Sequence, residues 1–300
     1  MASSRINWRV TIPVLLAVLA VWPPSGRLRA QRVLDLPIRE SGGPDGLATG
    51  PIAVFWNPAA GRIPAQRGEA LIVDVQGPHS TSLDGVALAS FFRLDASTAL
   101  GVGFRHVGLD EIPLTTTSPL PDDAEGSLDI SETTLSVAAL RVVGRSLSFG
   151  AGAHFTRAAR TLDARDEVEV GAGIRSAADN WRPGFGASIR FGEQGTDWTL
   201  GAELAPIAAT LGGGALGASY GLSGSPWYRG LAHRVALNAD WASRVRISAG
   251  IASEPDVGGR SWDPVVGAVV EIQRYSVGFL REELSNGIGA VHTFRLGITF

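Results

Sequence analysis

The segment Ile288-Gly289-Ala290-Val291-His292-Thr293-Phe294-Arg295-Leu296-Gly297-Ile298-Thr299-Phe300 closes the chain and decides how the rest is read. Ile288, Ala290, Phe294, Leu296, Ile298 and Phe300 fall on one face of an extended ribbon. Gly289, Thr293, Arg295, Gly297 and Thr299 fall on the other. A period of two predicts a β-strand, because successive side chains of an extended chain point to opposite faces. The same split recurs upstream. Val245, Ile247, Ala249 and Ile251 oppose Arg244, Arg246, Ser248 and Gly250; Val168, Val170, Ala172 and Ile174 oppose Glu167, Glu169, Gly171 and Arg175. Leu147, Phe149, Ala151, Ala153 and Phe155 oppose Ser148, Gly150, Gly152 and His154, and the stretches 184–191 and 197–204 behave alike.

Alternation alone fits a sandwich in water as well as a barrel in a membrane. Segment length favours the barrel: these runs cover ~9–12 residues, as a tilted membrane strand requires, whereas strands of soluble sheets average ~5–6. The polar face is rich in Gly with isolated Arg and Glu, which suits a crowded interior where charges pair. Segments 68–77, 82–93, 97–107, 129–142, 146–158, 166–176, 183–192, 197–205, 215–222, 231–241, 244–253, 264–273, 274–282 and 287–300 read as strands. The expectation is an all-β fold, a transmembrane antiparallel β-barrel of about 14 strands (12–14), closed because lipid offers no partner to an open sheet edge. Turn residues part most pairs, as at Asp95-Ala96-Ser97 and Ser285-Asn286-Gly287, but little marks a turn at Arg274. Trp181, Trp198, Trp227, Tyr228, Trp241, Trp262 and Tyr275 lie near segment ends, where interfacial girdles form.

Composition agrees. Of 300 residues 38 are Gly, only 18% are charged, 45% are hydrophobic, and all 26 basic residues are Arg. Mean hydropathy is +0.14, yet no run beyond residue 30 is long and apolar enough for a spanning helix of ~20 residues. Cys is absent, which excludes disulfides and thiolate chemistry. Residues 1–30 read as a secretory signal peptide: Arg5 and Arg9, an apolar core Val10–Trp22, Pro23-Pro24 and a cleavage point after Ala30. An uncleaved anchor is the competing reading. Cleavage removes four arginines and no acid, taking the net charge from −3 to −7. An acidic exported chain is a poor partner for nucleic acid.

Residues 31–67 lack sustained alternation and carry Gly46-Leu47-Ala48-Thr49-Gly50-Pro51-Ile52-Ala53-Val54-Phe55-Trp56-Asn57-Pro58-Ala59-Ala60. This Asn-Pro-Ala core resembles the N-terminal stretch of the FadL/PorV-like outer-membrane β-barrel family. The later layout is similar too: Gly101-Val102-Gly103-Phe104-Arg105, a loop, then Leu128-Asp129-Ile130-Ser131 leading to Ala138-Ala139-Leu140-Arg141. The resemblance implies a hatch, or plug, over 31–67 inside a barrel over 68–300, with Phe55, Asn57, Pro58 and Ala59 as its gate. Terminal Phe300 resembles the signal read by the barrel-assembly machinery. Long FadL-type transporters carry large ligand-collecting loops; here the longest loop covers about 108–127, including Thr115, Thr116 and Thr117.

No catalytic or metal constellation emerges. His79, His106, His154, His233 and His292 lack metal-site spacing. Ser148, His154 and Asp163 suggest a hydrolytic triad, but same-face residues six apart lie ~20 Å apart, against the ~3 Å a general base needs. Asp122, Asp123 and Glu125 read as a solvated acidic loop or a Ca²⁺ collector. The Gly-x-Gly pieces lead into no helix, so they are not phosphate loops. The expectation is no enzyme, no cofactor and no metal. Arg105, Arg175, Arg190, Arg244, Arg246 and Arg295 facing Glu167, Glu169, Glu203 and Glu271 read as lumen-lining charges that pair to hold hatch and wall, or as a selectivity lining. Resemblance implies passive passage of a small hydrophobic compound across the outer membrane through a hatch-gated lumen. The alternatives are a PorV-like accessory of a secretion machine docking protein partners at its loops, and a structural barrel without substrate.

Overall fold

The computed structural model describes residues 43–300 apart from 79–81, 115–125, 145, 161–162, 179–182, 194, 205–206, 210–213, 226–229, 242–243, 254, 257–258, 261 and 285–288. The expected signal peptide, residues 31–42 of the expected hatch, Trp181, Trp227, Tyr228, His79, Thr115–Thr117 and Asp122, Asp123 and Glu125 lie outside the described residues.

The ring begins with β1 (Gly68–Gln76), β2 (Leu83–Arg93), β3 (Thr98–Leu114), β4 (Gly126–Val143) and β5 (Leu147–Arg160). It continues through β6 (Asp163–Ser176), β7 (Gly184–Gly192) and β8 (Gly195–Glu203); a stub, β9 (Ile207–Ala209), then pairs beside β10 (Gly214–Gly224). After β11 (Ala232–Trp241) and β12 (Val245–Ser253), a small hairpin of β13 (Pro255–Asp256) and β14 (Gly259–Arg260) precedes β15 (Asp263–Ile272), β16 (Tyr275–Leu284) and β17 (Gly289–Thr299). Leaving out β9, β13 and β14, fourteen strands pair antiparallel with their neighbours, and β17 closes on β1 from Glu69↔Thr299 to Gln76↔His292. The molecule is a closed 14-stranded antiparallel barrel.

The alternation sorts side chains as the sequence demands. Phe149, Phe155, Val168, Leu200, Ile247, Val277 and Leu296 point outward and are exposed. A continuous apolar belt around a closed ring far exceeds the few hundred Å² a water-soluble monomer tolerates, so hydrocarbon is its natural solvent. Trp241 and Tyr275 sit near the terminal end of the ring, where β1 begins and β17 finishes, and Trp262 at the far end, all exposed. Phe300 locks the seam: Gly68 N–H donates to its carbonyl at 2.8 Å, its own N–H donates to Gly68 O at 2.9 Å, and its ring meets Phe92 edge-on at 6.3 Å.

One boundary differs from the sequence reading, and another stands where it was placed although the sequence hardly marks it. β3 runs to Leu114 and β4 starts at Gly126, with a register shift between Leu109 and Ile112, so much of the expected 108–127 loop is sheet. At 17 and 18 residues these strands overshoot the ~9–11 that a bilayer needs. Their outward positions there turn polar (Asp110, Asp129, and His106 bonded to Thr133 at 2.8 Å), which hid these extensions of the expected strands 97–107 and 129–142 from a reading based on apolar alternation. At the β15–β16 join the turn is just Gln273-Arg274. Gln273 takes φ 56°, so a non-glycine occupies the left-handed position and leaves no turn signal in the sequence.

Candidate functional site

Residues 43–67, the described part of the segment expected as the hatch and called so below, lie against the inner wall of the ring and include three single turns: Asp45–Leu47, Ala53–Trp56 and Pro58–Ala60. Asn57 explains why Asn-Pro-Ala suits this place. Its Oδ1 accepts the Ala59 N–H at 3.1 Å, capping the last turn, and Pro58 occupies the first position of that turn, where no donor is needed. Its Nδ2 donates to Gly46 O at 2.8 Å and to Ile174 O of β6 at 3.3 Å. One fully buried amide thus cross-links two hatch segments and a wall strand. Ser148 of β5 donates to Ala59 O at 2.6 Å. Arg62 reaches Glu69 at 2.7 Å where the hatch enters β1.

Glycines clear the track on which the hatch lies. A Cβ at Gly150 would collide with Pro58 and Ala59, at Gly173 with Asn57, at Gly186 with Gly46, and at Gly221 with Pro44. At Gly201 it would stand 2.6 Å from Leu47, and at Gly103 2.7 Å from Phe55 and Val54. At Gly150 and Gly186 the opposing atoms are hatch backbone, and at the others hatch side chains fill the space, so a side chain at these inward positions would displace the segment.

Beyond the hatch, the inner wall has two characters. From β3 to β8 and on to β12 it is charged. Arg105 pairs with Glu132, Arg175 with Glu203 at 2.6 Å, Arg234 with Glu282, and Arg246 with Asp240 at 2.6 Å. Arg190 lies 3.8 Å from Glu169 and 3.4 Å from Asp197, and its guanidinium stands 5.7 Å over the Trp56 ring of the hatch. Glu167 is buried beside Gly192. Arg295 donates to Ser276 Oγ at 3.1 Å. The Glu271 N–H donates to the Arg244 carbonyl at 2.6 Å, while neither of these two side chains has an ion-pair partner among the described residues. Glu132, Asp197, Asp240, Arg234 and Glu282 were not singled out from sequence; strand register brings the first three beside their partners, whereas Arg234 of β11 and Glu282 of β16 meet across the interior from strands that are not neighbours.

His154 also finds a partner across strands. Its Nδ1 lies 2.7 Å from Ser136 Oγ of β4, whereas Ser148 serves the hatch. Both members of the Ser136–His154 pair are 2% exposed, walled off from solvent. Among the described residues no group of three or more His, Cys, Asp or Glu could hold a metal ion.

The other half of the wall, around the β17–β1 seam, is apolar. Leu71, Val73 and Val75 of β1, Leu83, Ala87, Ala89 and Phe91 of β2, Val107 of β3, Ile130 of β4 and Val291 of β17 are all buried inward. They form one cluster with Ile52–Trp56 of the hatch. The stripe runs from the far end, at Leu83 and Val75, down to Phe91 and the hatch. At the terminal end, a cavity of about 360 Å³ lies between the hatch (Asp45, Ile52, Trp56) and the strands carrying Asp240, Arg246, Val269, Glu271 and Arg295, with Arg244 beside them.

No family model matches the chain, and no curated protein matches it. Solved structures do. The Ralstonia pickettii toluene transporter TbuX aligns at a TM-score of 0.63 with 11% identity, covering 89% of this chain and 100% of that one. The P. putida toluene transporter TodX gives 0.56 at 10%, covering 88% and 99%. A Pseudomonas aeruginosa FadL homologue gives 0.55 at 13%, covering 86% and 96%. The fold is that of a FadL-like outer-membrane barrel.

Proposed function

We propose that this chain is an outer-membrane channel through which small hydrophobic compounds pass down their gradient, with the hatch as gate. The observation that carries the reading is the apolar stripe inside the barrel. A lumen meant for water or ions has no use for Leu71, Val73, Val75, Ala87 and Ala89 on its inner wall, whereas a hydrophobic solute gains transfer free energy along such a surface. The fold shared with toluene transporters supports the same reading.

In this account a solute partitions onto the stripe at Leu83 and Val75, slides to Phe91 and Phe55, and leaves when the hatch yields. Asn57, Pro58 and Ala59 set how firmly the hatch is held. The paired charges of the opposite wall keep the barrel rigid and discourage polar solutes. No energy source enters. The exposed belt meets outer-membrane lipid, the leader serves export, and Phe300 serves recognition by the barrel-assembly machinery. The test is mass spectrometry of the barrel's contents after equilibration with a toluene and glucose mixture. Retention of toluene alone supports the reading; retention of neither, or of glucose, overturns it.

A further inference from the structure

We infer that the cavity at the terminal end of the lumen is an anion site, taking a small organic monoanion with a flat apolar body such as an aryl carboxylate. The inference rests on the channel reading for the route by which a ligand arrives, but not for the site itself. About 360 Å³ is within the range of ligand-sized pockets, ~300–1,000 Å³. Ile52, Trp56 and Val269 supply apolar wall, and Trp56 offers a ring face, its indole already met by the Arg190 guanidinium at 5.7 Å.

Charge decides the head group. Arg62, Arg244, Arg246 and Arg295 line the cavity together with Asp45, Asp240 and Glu271. Arg62 and Arg246 are committed to Glu69 and Asp240 at 2.7 and 2.6 Å. Arg244 is different: among the described residues its guanidinium has no hydrogen-bond or ion-pair partner. A planar guanidinium of this kind grips a carboxylate with two parallel N–H donors. Glu271, whose backbone is tied to Arg244 at 2.6 Å, is the carboxylate that competes with such a ligand for Arg244. A neutral hydrocarbon released past the hatch needs none of this chemistry. A monoanion supplies the partner that the Arg244 guanidinium lacks among the described residues.

The probes are benzoate and benzyl alcohol, nearly the same shape but differing in charge, titrated into the full-length barrel in detergent at pH 7 by calorimetry. Benzoate is expected to bind at least about tenfold tighter than benzyl alcohol, as charge-assisted bonds to guanidinium imply. Arg244→Gln should abolish that preference, Arg244→Lys should keep part of it, and Glu271→Gln should enlarge it. Unaltered heat-modifiable gel migration certifies the fold of each variant. Equal binding of the two probes, or a preference that survives Arg244→Gln, overturns the inference. Toluene passage without a benzoate preference sinks the anion site and spares the channel; a benzoate preference without toluene passage does the reverse.

Discussion

Asn57 Oδ1 occupies the space that a Cβ on Gly173 would need. A hatch residue and a wall residue thereby define each other: the amide reaches the Ile174 carbonyl because β6 presents no side chain at the preceding position. Gly173→Ala should therefore push the hatch away from the wall. Overpacking of this kind costs about 1–3 kcal/mol. Because the hatch lies against the ring rather than within its ladder, the expected outcome is local: faster hydrogen exchange at the Ala59 amide with unchanged exchange in β5 and β6. Equal acceleration throughout would mean that the hatch is part of the barrel's folding unit.

Asn57→Ala removes the acceptor for the Ala59 N–H and the donor for Gly46 and Ile174, leaving buried polar groups unmet. Each unmet group costs about 1–3 kcal/mol. Toluene flux should rise, since the gate is held less firmly, while the barrel still migrates as a folded species without boiling. Flux that falls, or stays the same, separates Asn57 from gating.

Arg105 and Glu132 are both nearly inaccessible and paired across β3 and β4. Arg105→Met alone strands the carboxylate and should cost about 3–5 kcal/mol, whereas the double replacement Arg105→Met/Glu132→Leu should recover most of it. Denaturant midpoints of the barrel measure both. A double variant as unstable as the single one would show that the pair is worth more than its desolvation cost.

Asp95 in the β2–β3 turn accepts the Ser97 N–H at 2.7 Å and the Ser97 hydroxyl at 2.9 Å, which hold its carboxyl below the ordinary carboxylate value. The folded pKa is depressed, so the contribution to stability is present above the unfolded pKa and is lost as pH falls through the folded one. Stability should decline with acid less steeply in Asp95→Asn than in the wild type, by a small amount because the turn is fully exposed. Matching acid profiles would remove Asp95 from the account.

Much of this molecule was legible because lipid is an unforgiving solvent. Phe149, Ala151, Ala153 and Phe155 had to face one way, and their phase revealed a strand. The first strand was harder. Leu71, Ile72 and Val73 are apolar in succession, since Ile72 faces outward while Leu71 and Val73 face the stripe, so the alternation that marks other strands is lost. That run was itself the available sign of a lumen apolar on one side. Partners set by register, such as Ser136 with His154 or Arg190 with Asp197, were out of reach, because pairing across strands depends on stagger rather than sequence spacing.

The proposal that the inner stripe makes the barrel a hydrophobic conduit is tested most directly by flux of toluene into liposomes carrying the purified protein. Wild-type protein should admit toluene well above protein-free liposomes. Val73→Thr, nearly isosteric but polar, should slow it severalfold, and Ala89→Asp should bring it to background with heat-modifiable migration intact. Wild-type flux at the protein-free level, or flux in folded Ala89→Asp equal to wild type, would contradict the account.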